Sequence, residues 1–211
     1  MFSKKSIVKT KTCTLEQVYQ ALEQSKVGLI PTETLWGLTC NPFSLQAVSK
    51  LFQLKQRAWS KSVPLVAGSI EQVLDFVVLS EKMLKFLKQF WPGPLSVIGI
   101  AKKRFVSPMV VNKKQEVCIR VTSHPELTKL CLRCGYPLVA TSANISNKPS
   151  PRSFEQIDAV ILEGVDFIFR TQNHPIGDKP STIITFQQDK LIILRKGALD
   201  EKMLLSSWQK F

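Results

Sequence analysis

The chain has 211 residues, of which 44% are hydrophobic and 21% are charged. This length supports one sizeable hydrophobic core and is short for two, and the composition excludes a wholly disordered chain. Lys and Arg number 29 against 16 Asp and Glu, so the formal net charge is +13. Such a charge favours polyanionic partners such as nucleotides or RNA, although surplus lysine can also serve only to solvate the surface.

We expect neither a membrane segment nor a signal peptide, and therefore a cytoplasmic protein. No apolar run approaches the roughly 18 residues of a membrane helix, and the Lys-rich stretch 1–13 is followed by no apolar segment. Among five cysteines, Cys131 and Cys134 form a single C-x-x-C motif. A zinc site usually needs a second ligand pair, and only His124 and His174 are available. We therefore interpret these cysteines as buried thiols and predict no metal site.

The first half of the chain predicts helices and strands in alternation. Thr14 and Gln17 have the spacing of a capping box, which predicts a helix start. Further helices are predicted to begin after Ser44, after Ser69 with Gln72, and after Ser80, the last ending at the Trp-Pro-Gly-Pro stretch 91–94. Apolar runs predict strands over 27–30, 63–67 and 95–101.

The second half continues this alternation and ends in a predicted hairpin. Helices are predicted over 125–134, where Gly135 is the C-terminal cap, after Ser153 with Gln156, and over 203–208. Strands are predicted over 117–121, 138–141, 167–169, 182–186 and 191–194, the last two joined by a short turn at 187–190. Alternating strands and helices predict an α/β sheet, in which ligands bind at the loops that leave the strand ends.

Four loops carry the hydroxyl and basic side chains of the predicted site. They cover 31–38, 55–61, 141–150 and 180–182, the last with 195–197 at the end of the hairpin. Taken singly, each is also ordinary turn or helix-end chemistry. Together they indicate a phosphate site, because hydroxyl groups and cations bind phosphate oxygens. The site would not use a glycine-rich loop, since neither G-x-x-x-x-G-K-S/T nor G-x-G-x-x-G occurs in the sequence. Glu33 is the main acid in these loops, which argues against a paired-carboxylate hydrolase.

Arg120 is the other informative charge. It lies in the apolar run 117–121, and a guanidinium buried without a partner would be costly. A ligand carboxylate would give it a planar, two-pronged partner. An internal Asp or Glu, or a solvent-facing position on a half-buried strand, would explain it equally well, and the sequence alone leaves these alternatives open.

Seven short motifs occur in a single order along the chain. They are PTETLWG from Pro31, LKQR from Leu54, WPGP from Trp91, IRV from Ile119 with His124-Pro125, TSANIS from Thr141, PST from Pro180 and LRKG from Leu194. In this order they resemble the YrdC-like threonylcarbamoyl-AMP synthases and, within them, the short bacterial form TsaC. The resemblance covers about residues 27–197.

The resemblance implies a fold and a reaction. The fold is a single-domain, twisted, open mixed α/β sheet with flanking helices and a basic concave cleft, with the catalytic domain over 1–197 and a short extension over 198–211. The implied enzyme is a nucleotidyltransferase that would convert L-threonine, bicarbonate and ATP, with Mg2+ on the triphosphate, into threonylcarbamoyl-AMP and pyrophosphate. Partner proteins would then pass the threonylcarbamoyl group to the adenosine beside the tRNA anticodon.

The resemblance also assigns roles to residues of the four loops and of the run around Arg120. The implied catalytic residues are Lys55, Arg57, Ser142 and Asn144. The implied ATP contacts are Arg57, Lys61, Ser142, Ser150 and Arg195. The implied threonine contacts are Thr32, Thr34, Arg120, Ala140 and Ser181.

Four positions depart from the family pattern. Trp36 stands where longer relatives carry Tyr, Ala58 where those longer relatives usually carry Pro, and Asn147 in place of the glycine after the Ser-Ala-Asn motif. Asn can also adopt the left-handed conformation, so we expect this turn to be kept. A threonine-binding His of relatives is missing near Val66.

Two other functions remain as alternatives. The net charge also suits a non-catalytic module that binds double-stranded or structured RNA. YrdC-like modules occur as well in carbamoyl-transferring hydrogenase maturation proteins, but those chains carry zinc-finger and acylphosphatase-like modules for which we expect no room here.

Overall fold

The computed structural model describes residues 12–59, 61–102, 109–173, 175 and 177–211. Within them, eleven strands form one mixed sheet. In chain order the strands are β1 (Thr12–Cys13), β2 (Gly28–Ile30), β3 (Gly37–Cys40), β4 (Leu65–Ala67), β5 (Val77–Val78), β6 (Leu95–Ala101), β7 (Glu116–Val121), β8 (Leu138–Ser142), β9 (Phe167–Phe169), β10 (Thr182–Gln187) and β11 (Lys190–Arg195). The N-terminal stretch 1–11 and His174 lie outside the described residues.

The strand order is β1-β9-β2-β3-β8-β4-β7-β6-β10-β11, with β5 pairing with β6 beside this path. Pairing is parallel between β4 and β7 and between β6 and β10, but antiparallel between β3 and β8, so the sheet is mixed as predicted. The β10–β11 hairpin turns at Gln188 and Asp189, whose φ values of 45° and 61° match the turn type that fits strand twist.

Helices flank the sheet, and the first four begin at the predicted capping residues Thr14, Ser44, Ser69 and Ser80, whereas the helix Ala159–Gly164, capped by Asp158, was not predicted. The helices are α1 (Leu15–Glu23), α2 (Leu45–Lys55), α3 (Ile70–Phe76), α4 (Glu81–Leu87), α5 (Pro125–Cys134), α6 (Ala159–Gly164) and α7 (Glu201–Trp208). The Thr14 and Gln17 side chains form the predicted capping box. Ser44, Ser69 and Ser80 each accept a hydrogen bond from the backbone amide three residues on. Gly135 ends α5 with a φ of 71°.

Several predicted boundaries were wrong. Strand β3 was assigned to a loop, because its four residues are all buried and show no alternation. Strand β5 was also missed, and α4 ends at Leu87 instead of reaching Trp91. Ser153 caps no α-helix, because the Gln156 side chain instead accepts from the Arg152 amide and a 3-10 turn follows.

Alternate strand residues pack into two apolar clusters, one on each face of the sheet. Leu29, Leu65 and Val139 belong to the larger cluster, and Ile30 and Val66 belong to the smaller one. This alternation is the two-residue period of a strand, and burial on both faces is expected when helices cover both. The functional loops therefore leave a rigid, two-sided core.

The C-terminal helix α7 packs on the same core. Its Trp208 ring lies 4.7 Å from the ring of Phe186 and 5.4 Å from that of Phe86, measured between centroids. The division of the chain at residue 197 stays a prediction. A search of the described residues finds no helix with the length and apolarity that a membrane crossing needs.

Candidate active site

All the residues to which the family resemblance assigns a role line one cavity of about 440 Å3. This volume is in the range of small-molecule sites. The cavity walls come from the loops after β2 and α2, from strands β7 and β8 and the loop after β8, and from the segments that flank the β10–β11 hairpin. The lining cations are Lys55, Arg57, Lys61, Arg120 and Arg195, and no Asp or Glu of the described residues lines it. The cavity can therefore accept an anion larger than a single phosphate.

Lys55, the last residue of α2, is only 2% exposed and points its ammonium at the loop after β8. The ammonium donates to the carbonyl oxygen of Ser142, to that of Asn144 at 2.9 Å, and to the Asn144 side-chain oxygen at 3.3 Å. Burial, together with the charge of nearby Arg57, lowers the pKa of Lys55 to about 7. With three oxygens around it, this ammonium fixes the shape of the loop.

Side chains within the loop after β8 complete its shape. The Ser142 hydroxyl donates to the Asn144 side-chain oxygen at 2.5 Å, and the Asn144 amide nitrogen donates to the Lys148 carbonyl at 2.5 Å. Asn147 has a φ of 69°, which confirms the expected left-handed turn. The Ser142 hydroxyl and the lining Ser150 therefore face the cavity from a loop whose backbone is held at several points.

Arg57 lies just after α2, where Gln56 turns the chain with a φ of 48°. Its guanidinium donates from Nε to the Lys61 carbonyl at 3.1 Å and from one terminal nitrogen to the Ser62 carbonyl at 2.6 Å. These bonds tie the Arg57 side chain to the backbone at Lys61 and Ser62, and both Arg57 and Lys61 line the cavity. Partial burial lowers the pKa of Arg57 from its ordinary value.

Arg195 and Ser181 bring the ends of the hairpin together. The Arg195 guanidinium donates to the Ser181 carbonyl at 2.7 Å and to the Ser181 hydroxyl at 3.0 Å. The Ser181 hydroxyl also lies 2.9 Å from the hydroxyl of Ser96 on β6. Gly197 allows this contact, because a Cβ at that position would lie 2.4 Å from the Pro180 carbonyl oxygen.

Arg120 on β7 has an internal partner, which was one of the three alternatives left open. Its Nε donates to Glu33 at 2.7 Å, and the side chains of Arg120 and Glu33 are 5% and 8% exposed. The solvent-facing alternative is therefore wrong. Arg120 nevertheless lines the cavity, so an internal partner and a ligand contact are compatible.

Glu33 was missed as a site residue. The sequence signal was present, since Glu33 is the main acid of the four loops, but its partner lies 87 positions away along the chain. Burial alone would raise the pKa of Glu33, yet the Arg120 charge and hydrogen bonds from Arg120 and Thr122 hold it below its ordinary value. The carboxylate is therefore ionised at neutral pH.

Thr32 and Thr34 occupy the loop after β2 with different surroundings. The Thr32 hydroxyl donates to the Leu35 carbonyl at 2.7 Å and accepts from the backbone amides of Thr34 and Leu35. It also lies 2.9 Å from the Thr34 hydroxyl. Thr32 thus shapes the loop that presents Thr34. The Ala140 backbone lies across the same cavity, on β8.

Of the two C-x-x-C cysteines, Cys131 is buried as predicted, whereas Cys134 is only partly buried, and neither forms a disulfide. Cys131 is buried and its thiol donates to the Val66 carbonyl, and burial raises its pKa. Burial likewise raises the pKa of Cys134 to about 12. No cluster of His, Cys, Asp and Glu suited to a metal ion occurs in the residues that the structure describes.

Residues 20–197 match the Sua5/YciO/YrdC family model, which carries the description "Telomere recombination". The threonylcarbamoyl-AMP synthase of Vibrio parahaemolyticus is 36% identical over 86% of this chain and 98% of its own length. That of Vibrio vulnificus is 38% identical over 87% of this chain and 98% of its own length.

Two solved structures have the same fold. The P. abyssi Sua5 complexed with L-threonine superposes with a TM-score of 0.83 at 27% identity, over 92% of this chain and 56% of that protein. This chain therefore spans little more than half of that longer relative. The E. coli YciO structure superposes with a TM-score of 0.80 at 21% identity, over 90% of this chain and 92% of that one.

Proposed function

The chain belongs to the Sua5/YciO/YrdC family, and we propose that it is an L-threonylcarbamoyladenylate synthase. Two relatives that carry this name align with the chain over 98% of their own length, and a relative solved with bound L-threonine shares its fold. The observation that carries the proposal is that twelve residues from separate segments, assigned by resemblance, line a single basic cavity.

The reaction joins three substrates in two steps. The threonine amine attacks bicarbonate and forms a carbamate with loss of water. A carbamate oxygen then attacks the α-phosphorus of ATP, so that an O–P bond forms, the bond to the β-phosphate breaks, and pyrophosphate leaves. This is nucleotidyl transfer. It requires no covalent enzyme intermediate, so its catalysis depends on alignment and on charge stabilisation.

The cationic side chains oppose the repulsion between the carbamate and the triphosphate. Arg57, Lys61 and Arg195 face the triphosphate, with the hydroxyls of Ser142 and Ser150 on its oxygens. One opposite charge at 4 Å contributes about 4 kcal/mol at an effective dielectric near 20. Several such charges in one cavity are therefore enough to hold two anions side by side.

Threonine lies at the other end of the cavity in this proposal. Arg120 holds its carboxylate, and Thr34, Ser181 and the Ala140 backbone contact the rest of the molecule. Lys55 and Asn144 act as positioning residues, because their polar groups hold the loop that presents Ser142. Thr32 acts in the same way on Thr34.

Mg2+ fits this site as an ion carried by the nucleotide. Mg2+ prefers oxygen ligands and keeps several waters, and in nucleotide enzymes it is commonly bound through substrate phosphates. The described residues that line the cavity offer hydroxyl and amide oxygens but no carboxylate. The triphosphate and water would therefore supply most ligands, and the ion would reduce the charge that the arginines must oppose.

We place the protein in the cytoplasm, where it would supply threonylcarbamoyl-AMP to tRNA-modification proteins. Those partners transfer the threonylcarbamoyl group to the adenosine next to the anticodon. The net charge of +13 would favour an encounter with tRNA at low salt.

Pyrophosphate release from ATP tests the proposal. We expect release only when threonine and bicarbonate are both present, and we expect ATP with threonine to raise the melting temperature, since ligands that bind only the folded state stabilise it. RNA binding with a steep salt dependence, no melting shift and no threonine-dependent release would instead indicate the RNA-binding alternative.

A further inference from the structure

Glu33 is a buried acid that belongs to no role assigned so far. It lies in the loop after β2, beside Thr34, and both of its carboxylate oxygens are engaged. One oxygen accepts from Arg120 Nε at 2.7 Å and the other accepts from the Thr122 hydroxyl at 2.7 Å. The Thr122 hydroxyl in turn accepts from the His124 amide at 3.1 Å.

This network fixes the orientation of Arg120. Glu33 takes the Nε hydrogen, and neither terminal nitrogen of Arg120 has a hydrogen-bond partner among the described residues. Arg120 lines the cavity, so these two nitrogens remain available to a ligand. Two guanidinium N–H groups can donate two parallel hydrogen bonds to one carboxylate, and this arrangement requires the guanidinium to be correctly oriented.

The same contact joins two walls of the cavity. Glu33 directly precedes Thr34 in the loop after β2. Arg120 lies on β7, and Thr122 directly follows the end of that strand. These strands are not adjacent in the sheet. The Glu33 carboxylate therefore sets the distance between the two sides on which the proposed threonine contacts Thr34 and Arg120 lie.

We propose that Glu33 is a positioning residue that orients the Arg120 guanidinium toward the substrate carboxylate and holds it at a fixed distance from Thr34. This inference rests on the proposed function, in which that carboxylate is threonine's. Loss of an interaction made equally in the ground state and the transition state raises KM and leaves kcat unchanged. A Glu33 variant should therefore raise the KM for threonine selectively.

The experiment compares Glu33→Gln and Glu33→Ala with the native protein. The amide of Gln can still accept from Arg120, but the acceptor is no longer ionised, so the Coulomb attraction of the ion pair is lost and the bond to the guanidinium is weaker. We expect the KM for threonine to rise roughly 10-fold in Glu33→Gln and further in Glu33→Ala, which corresponds to about 1.4 kcal/mol per 10-fold step. The KM for ATP should change less than about 2-fold, within ordinary mutational scatter.

Asp166→Asn is the matched control, because Asp166 is also an acid in an ion pair, at 2.7 Å from Lys50, and accepts from the Val27 amide. It does not line the cavity. We expect this variant to lower the melting temperature without changing the KM for threonine. An equal rise of both KM values in the Glu33 variants, or an unchanged KM for threonine, would overturn the inference.

If Glu33→Ala fails to fold, ligand binding by two milder variants tests the same inference. L-Threoninol lacks the carboxylate, so the native protein should bind threonine much more tightly than threoninol. In Glu33→Gln and in Thr122→Val, we expect the ratio of the threoninol Kd to the threonine Kd to be smaller than in the native protein. An unchanged ratio in both folded variants contradicts the inference. If the native protein shows no threonine-dependent turnover, the proposed function itself fails, and that result is distinct from a native enzyme whose variants behave normally.

Discussion

The Arg195 guanidinium donates hydrogen bonds to both the carbonyl oxygen and the hydroxyl of Ser181. In the proposed function Arg195 contacts ATP and Ser181 contacts threonine. Under that proposal a direct hydrogen bond joins the ATP site to the threonine site, and a substitution of Arg195 should affect the binding of both substrates.

Arg195→Lys tests this connection. Lysine keeps the charge but cannot donate in the planar, two-pronged geometry of arginine. We expect kcat/KM to fall about 10-fold or more for ATP and also for threonine, because each lost charge-assisted hydrogen bond is worth about 1.5–3 kcal/mol. Steady-state kinetics with each substrate varied in turn measures this. Arg133→Lys, on an exposed ion pair with Glu16, is the control. A loss confined to ATP would argue against the connection.

Lys55→Met should destabilise the protein and abolish most activity. The substitution keeps the volume of the stem but leaves the Ser142 and Asn144 carbonyl oxygens without their donor, and a buried unsatisfied acceptor costs about 1–3 kcal/mol. We expect urea unfolding to show a free energy of unfolding lower by about 2 kcal/mol or more. Lys129→Met, at an exposed position of α5, should stay within about 0.5 kcal/mol of the native value. Equal values for the two variants would contradict the role of Lys55 in holding the loop.

Asn147 should accept glycine but not a β-branched residue. Its φ of 69° lies in the left-handed region, which costs an ordinary L-residue about 1–2 kcal/mol. Asn147→Gly should therefore retain the stability and most of the activity, whereas Asn147→Val should lower the free energy of unfolding by about that amount and distort the cavity wall. Thermal unfolding and pyrophosphate release measure the two effects. Indistinguishable Gly and Val variants would contradict this account of the turn.

Acid should selectively remove the stability that Glu33 contributes. Its pKa in the folded protein lies below the ordinary value of 4.5, so this stability is fully present above pH 4.5 and is lost as the pH falls through the folded-state pKa. The native protein should therefore lose its stability advantage over Glu33→Gln below about pH 4.5, because the unfolded chain takes up the proton first. Unfolding free energies of both proteins across this range measure the change. A difference that stays constant with pH would count against an ionised Glu33.

Sequence periodicity and capping chemistry predicted most of the fold. The Thr14, Ser44, Ser69 and Ser80 caps were found because side-chain capping depends on residues only three apart. Strand β3 was missed because a strand buried on both faces lacks the alternating pattern, and its pairing with β8 joins residues about a hundred positions apart. The strand order could not be predicted for the same reason.

The cavity residues were predicted as a set, but several of their contacts were not. Hydroxyls and cations at strand ends indicated where the site lies, and family resemblance assigned their roles. The engagement of Lys55 with the loop after β8 and of Glu33 with Arg120 depends on how distant segments pack, which a local pattern does not encode. Arg120 shows the difference well, because its sequence context was compatible with both an internal partner and a ligand, and the structure allows both.

Mass spectrometry of the product formed from 13C-bicarbonate, L-threonine and ATP tests the central claim most directly. The account predicts a threonine- and bicarbonate-dependent adenylate that carries the labelled carbon, with pyrophosphate formed in equal amount, and its loss in Arg57→Ala with the fold retained. An adenylate without the label, or ATP cleavage that proceeds equally well without threonine, would contradict it.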